Sequence, residues 1–234
     1  MVILAVEGKY VGCCRTLELS GQGQSPAMIS PNSPTIWDVY LSSWIIQDGN
    51  YPDFEIGQTP EFAVEFWLPD GVIVRTSDGE KSANSVGGPL YDTTAEIVFQ
   101  NAQITILDIG ILVYRQTSSS DTPLSAASRV EVQLGLGVDP FFYFEDLNKI
   151  ADVPPLVYSW KILNILRQTA PFIEQVAEEG FLKGRTIHVR DERLLGYEEI
   201  PRTDAWNDDD GHAEYLLRCQ LLPLPPKFSS ATAT

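Results

Sequence analysis

Reactive side chains are scarce in this chain: two histidines and three cysteines in 234 residues. Cys13, Cys14 and Cys219 make no disulfide framework. Adjacent Cys13 and Cys14 on a strand would point to opposite faces, which makes them poor partners for each other. An odd, low count fits a reducing compartment, and a cytoplasmic location is expected. Long apolar runs are missing too. Nothing approaches the roughly 18 uninterrupted apolar residues of a membrane span. In MVILAVEGKY the apolar start is cut off at Glu7, with no basic region and no cleavage site, so no secretory leader is expected. Bases are outnumbered, 16 against 32 acids, for a formal net charge of −16. Such a surface repels phosphate backbones and anionic lipid, which argues against direct nucleic-acid or membrane binding and in favour of a basic protein partner.

Complete catalytic signatures are also missing. There is no Gly-x-Ser-x-Gly elbow to seat a nucleophilic serine. GQGQSP, 21 to 26, has neither the lysine nor the following helix of a phosphate-cradling loop. Neither a cofactor nor a catalytic residue is assigned.

What the chain has is apolar content, 44% with 10% aromatic, and period-two alternation. In TPEFAVEFWL, Phe62, Val64, Phe66 and Leu68 share one face; in SRVEVQLGLG, Val130, Val132, Leu134 and Leu136 do the same. AQITILDIGILVYR, 102 to 115, is apolar on both faces and reads as one central strand with a bulge at Gly110. Weaker strand patterns are VILAVE, YVGCCRTLEL, TIWDVYLSSWII, GVIVRT, TTAEIVF, RTIHVRD and EYLLRCQLL. LVYSWKILNIL, 156 to 166, is rich in β-branched and aromatic residues and reads as strand, with Tyr158, Trp160, Ile162 and Leu166 on one face. TAPFIEQVAEEG predicts a helix capped by Thr169, with Pro171 in its first turn and Gly180 as its stop. FEDLNKIAD, 144 to 152, predicts a further turn or two.

The expected fold is therefore mainly β: a barrel or strongly bent antiparallel sandwich of about nine or ten strands with one or two short helices. Residues 1–222 form one β-rich domain, with a weak subdivision near 116–128, and 223–234 form a flexible Pro-rich tail. Two long loops, 20 to 35 and 115 to 128, stand out.

Chemistry concentrates in TDAWNDDDGHAEYLLRC, Thr203 to Cys219. As a calcium loop it fails, because Trp206 falls where the first oxygen ligand belongs. As a zinc site it lacks a spaced histidine or cysteine pair, and His212-Ala-Glu214 lacks the cysteine half of a deaminase signature. No metal is assigned. An Asp-Gly turn before a strand is the plainer reading, and exposed Trp206 beside acids suggests a recognition loop. His188, on RTIHVRD with Thr186 and Arg190, reads as a sheet-surface residue. Asp108 interrupts an apolar strand, so it must be paired, hydrogen-bonded or protonated, with Arg115 a candidate partner.

Between Arg15 and Arg75 there is no base, yet there are eight acids: Glu18, Asp38, Asp48, Asp53, Glu55, Glu61, Glu65 and Asp70. Among its aromatics, Tyr51, Phe54 and Trp67 are expected to be exposed. The partner-binding surface is accordingly expected at Asp53, Phe54, Glu55, Glu61, Glu65, Trp67, Trp206, Asp208, Asp209 and Asp210. The function these features suggest is a non-catalytic acidic protein that holds a basic partner, as an immunity protein, antitoxin or inhibitor does. A structural subunit of a larger assembly, such as a virion or secretion machine, is one alternative. A metal-dependent enzyme using Asp208, Asp209, Asp210, His212 and Glu214 is the other.

Overall fold

The computed structural model describes residues 35–69, 71–117, 129–176 and 184–228. VILAVE, YVGCCRTLEL with Cys13 and Cys14, nearly all of the 20 to 35 loop, residues 118–128 and the end beyond 228 lie outside the described residues. Among the described residues strands account for 50% and helical turns for 10%, the latter including two short α-helices.

The first half runs β1 (Ile36–Ser42), α1 (Ser43–Gln47), β2 (Glu61–Phe62), β3 (Val64–Trp67), β4 (Arg75–Thr76), β5 (Ser82–Gly87), β6 (Leu90–Gln100), β7 (Ile104–Asp108) and β8 (Leu112–Gln116). The second half runs β9 (Arg129–Val138), α2 (Phe142–Glu145), β10 (Tyr158–Gln168), β11 (Phe172–Val176), β12 (Thr186–Arg190), β13 (Tyr197–Glu199) and β14 (Glu214–Leu221). Strand β9 is the hub. One edge pairs antiparallel with β3, from Val64 opposite Val138 to Trp67 opposite Gly135. The other edge pairs with β6, from Leu90 opposite Gly135 to Glu96 opposite Arg129. Strand β3 meets β8 in parallel at Glu65 and Tyr114, β8 pairs with β7, and β7 with β6. These five strands close a barrel. The sheet then continues from β9 through β1, β14 and β10, where β10 returns to pair with β2.

Alternation decides which side chains go inside. Phe62, Val64 and Phe66 are 0%, 0% and 3% exposed, and every even position from Val130 to Leu136 is buried. Each large apolar side chain so covered stabilises the fold by about 2 kcal/mol. On β10 the expected face holds through Tyr158, Trp160 and Ile162 and then shifts. A bulge between Ile162 and Asn164 sends Ile165 inward, at 0% exposure, and leaves Leu166 half-buried.

Three expected elements differ. The 102 to 115 stretch is a hairpin, not one strand: β7 and β8 pair from Ile104 opposite Gln116 to Asp108 opposite Leu112. Gly110, at φ 111°, sits in a three-residue turn, where only a residue without Cβ adopts that backbone cheaply. TIWDVYLSSWII is strand only to Ser42, after which Ser43–Gln47 is helical. TAPFIEQVAEEG is not a helix across 172–176, which is strand β11, paired antiparallel with β12 at five positions from Phe172 opposite Arg190 to Val176 opposite Thr186. Its β-branched Ile173 and Val176 suit a ribbon, and the partner strand settles a short segment whose apolar spacing is compatible with either period. The Pro-rich arm is held as far as Lys227, which exchanges two backbone hydrogen bonds with Val157, at 2.9 and 3.1 Å.

Candidate functional site

The acidic loop is built on Asp53. Its Oδ1 accepts the Thr203 hydroxyl at 2.9 Å and the Ala205 N–H at 3.0 Å, while the Thr203 oxygen accepts the Phe54 N–H at 2.9 Å. From that anchor the chain turns through Asp209, Asp210 and Gly211 at φ 48°, 55° and 84°. Two consecutive non-glycine residues in the left-handed region cost about 1–2 kcal/mol each. Side chains from four other elements offset that cost. Asp208 Oδ1 takes Arg167 Nη1 of β10 at 2.8 Å, and its Oδ2 accepts the Tyr215 hydroxyl of β14 at 2.9 Å. Asp209 Oδ2 takes Arg190 Nη2 of β12 at 2.8 Å. Gln47 Nε2 of α1 donates to the Ala205 and Gly211 carbonyls at 2.6 and 2.7 Å.

Arg190 continues the network. Its Nε stands 3.2 Å from Glu214 Oε2, its Nη1 donates to the Ala170 carbonyl at 2.7 Å, and the guanidinium lies 4.3 Å from the Phe172 ring centre. Glu214 in turn accepts the Tyr40 hydroxyl at 3.1 Å. Burial and the Glu214 charge push the Tyr40 hydroxyl up, beyond the usual phenol range. Three of the carboxylates proposed as metal ligands, Asp208, Asp209 and Glu214, are thus engaged by arginines. Among the described residues no group of three or more His, Cys, Asp or Glu side chains is gathered as an ion would require. Asp208, Asp209, Asp210, His212 and Glu214 do not form a metal cage.

What the loop presents outward is Trp206, 66% exposed, with Asp204, Asp210 and His212 exposed around it. Asp210 joins no ion pair among the described residues. Sequence reasoning did not single out Trp44, 43% exposed on α1, with exposed Asp48 just past that helix. The signal was available: Ser42-Ser43-Trp44 breaks the alternation of β1. Gln47 ties this helix to the Trp206 loop, so the two exposed indoles are carried by adjoining elements.

The remaining expected surface residues are dispersed. Phe54 is 1% exposed and Tyr51 8%, both packed in the core, so their expected exposure is overturned. They lie in a loop by sequence, but the Asp53–Thr203 anchor draws that loop inward. Trp67 is half-buried over β9, where a Cβ on Gly135 would stand 2.2 Å from its indole; glycine is needed there for the ring to lie flat on the strand. Glu61 is exposed but bound to Lys227 Nζ at 2.6 Å and to the Ser159 hydroxyl at 3.1 Å; the lysine holds its carboxyl below the usual range. Glu55 is exposed. Glu65 turns inward, and burial followed by the charge of Asp139 pushes its carboxyl up to about 8. Asp108 pairs with Lys81 at 2.7 Å, and its Oδ1 accepts the Gly110 N–H at 2.8 Å, which makes it a turn residue.

The fold and site together describe a mainly β protein with a closed five-stranded barrel, carrying an arginine-braced acidic loop with an exposed tryptophan at its tip. No protein-family model, curated protein or solved structure matches the chain. No helix among the described residues is long and apolar enough to cross a membrane.

Proposed function

We propose that this is a non-catalytic acidic binding protein that engages a basic protein partner, in the manner of an immunity protein, antitoxin or inhibitor. The observation that carries the reading is the pair of exposed indoles, Trp206 and Trp44, set among Asp48, Asp204 and Asp210 on elements joined by Gln47. Exposed aromatics anchor a contact by burying area at little rotamer cost, while unpaired acids steer a cationic surface toward them. A net charge of −16 strengthens that steering, and low salt lengthens its reach.

The test is capture from the native host followed by binding measurements with the recovered partner. The expected result is a basic protein whose affinity falls steeply between low and physiological salt. Trp206→Ala should weaken binding about 30-fold or more, as loss of a central aromatic anchor does, and D210N should chiefly slow association. A partner held equally well by W206A and by the native chain would end this reading.

One feature favours assembly into a larger structure instead. The ribbon of β11 and β12 exposes Phe172, Ile173 and Val176, and Leu194 and Leu195 follow it, also exposed. A monomer by light scattering at high protein concentration would count against that alternative.

A further inference from the structure

Near α2 two carboxyl residues fall on one face of the paired β3 and β9, Glu65 opposite Gly137 and Asp139 two residues further on, with no cation between them among the described residues. Asp139, directly after β9, is 0% exposed. Its Oδ1 accepts the Tyr114 hydroxyl and, at 3.2 Å, the Tyr143 N–H, while its Oδ2 is buried with no partner. Glu65 of β3 lies over Gly137, where a Cβ would be 3.4 Å from the glutamate Cγ and Oε1. The Tyr51 hydroxyl is also buried and unpartnered, and its ring stands 5.5 Å from that of Phe141, which leads into α2. Neither carboxyl joins an ion pair among the described residues. Two neighbouring acids, one fully buried and the other half-buried, cannot both ionise cheaply.

We infer that Glu65 and Asp139 hold one proton between them, and that this proton helps to latch α2 to the barrel. The two acids divide the roles. Asp139 is the anion, because the Tyr114 hydroxyl and the backbone N–H groups of Tyr143, Phe141 and Phe144 all favour its charged form. Burial nevertheless pushes it up to about 6. Glu65 is the proton holder, pushed up to about 8 by burial and then by Asp139. The groups facing the pair are phenols: Tyr114 from β8, Tyr143 from α2 and Tyr51 from the turn after α1. All three are raised by burial, Tyr143 to about 12, so they stay neutral through the relevant range. When Glu65 ionises, repulsion falls on Asp139, whose bond from the Tyr143 N–H helps the buried Tyr143 ring hold that segment down. The sign follows from linkage. Both folded values lie above the unfolded ones of about 4, so the stabilisation is complete below about pH 4 and is lost as pH rises through about 6 to 8.

The test compares melting of the native chain and Glu65→Gln at about pH 6 and about pH 9. The native chain is expected to lose on the order of 5 °C over that interval, and E65Q to lose little of it. Amide exchange at Tyr143 and Phe144 should accelerate beyond the base-catalysed trend in the native chain alone. An equal loss in E65Q would overturn the latch. Should E65Q fail to fold, carbon-13 titration of the native chain decides: a glutamate carboxyl with its midpoint above about pH 7 supports the proposal, and none above about pH 6 overturns it. Calcium chloride that restores melting at about pH 9, where matched sodium chloride does not, would assign the pair to a cation and overturn the shared proton.

Discussion

A guanidinium that meets two carboxylates, two carbonyls and an aromatic ring is not replaceable by a charge alone. Arg190 has 8% of its side chain exposed and reaches Asp209, Glu214, the Ala170 and His212 carbonyls and the Phe172 face. Nη1 takes the Ala170 carbonyl, Nη2 serves both Asp209 and the His212 carbonyl, and Nε faces Glu214, a spread over the planar fork that a lysine ammonium cannot copy. Removing a partner from a fully buried ion pair costs about 3–5 kcal/mol; here the carboxylates are 30% and 34% exposed, so water recovers part of it. R190A should therefore lower unfolding stability by about 2 kcal/mol in urea titration, and R190K by little less. A lysine variant of native stability would mean that only the charge matters. The sequence placed Arg190 on a polar strand face and went no further, because nothing in RTIHVRD says that the acidic loop, about twenty residues on, folds back over it.

At the scale of elements, strands were legible wherever one face is dry and the other wet, since burial then repeats every second residue. TPEFAVEFWL and SRVEVQLGLG are of that kind. The failures fall where both faces share one environment. AQITILDIGILVYR is dry on both, so alternation gave no sign that the chain reverses at Gly110. In TAPFIEQVAEEG, residues 172 to 176 are exposed on both faces, so periodicity gave no sign of a ribbon. The β7–β8 reversal depends on Asp108, which bonds the Gly110 N–H at 2.8 Å and Lys81 Nζ at 2.7 Å with only 13% of its side chain exposed. Asp108→Ala loses both contacts and should cost about 2 kcal/mol, whereas D108N keeps an oxygen for the turn and should cost about half as much. Hydrogen exchange at Gly110 separates the two: faster in the alanine variant, near native in the asparagine one. Equal acceleration in both would assign the turn to the ion pair with Lys81 instead.

Charge shows most clearly what a one-dimensional reading misses at the scale of the molecule. The base-free interval from Arg15 to Arg75 is not base-free in space: Asp38 holds Arg218 at 2.9 Å, Glu61 holds Lys227 at 2.6 Å, and Arg202 lies 3.5 Å from Asp53. Bases more than a hundred positions away fill the gap, and Glu65 is half-buried, which leaves Asp48 and Glu55 as the interval's exposed acids without an ion pair among the described residues. Local pairing does not remove the global excess, however, because 32 acids still face 16 bases. Self-repulsion of that excess destabilises the free molecule, while the same field draws a cationic partner. Salt should therefore act in opposite directions on the two properties. Raising sodium chloride from about 20 mM to about 500 mM shortens the screening length from roughly 20 Å to under 5 Å, which quiets repulsion across the molecule more than contacts below 3 Å. Melting of the isolated chain should rise by roughly 3 °C over that range while affinity for a basic partner of the kind proposed falls. Melting that drops with salt would mean that the arginine bridges outweigh the excess and that the field available to a partner is weak.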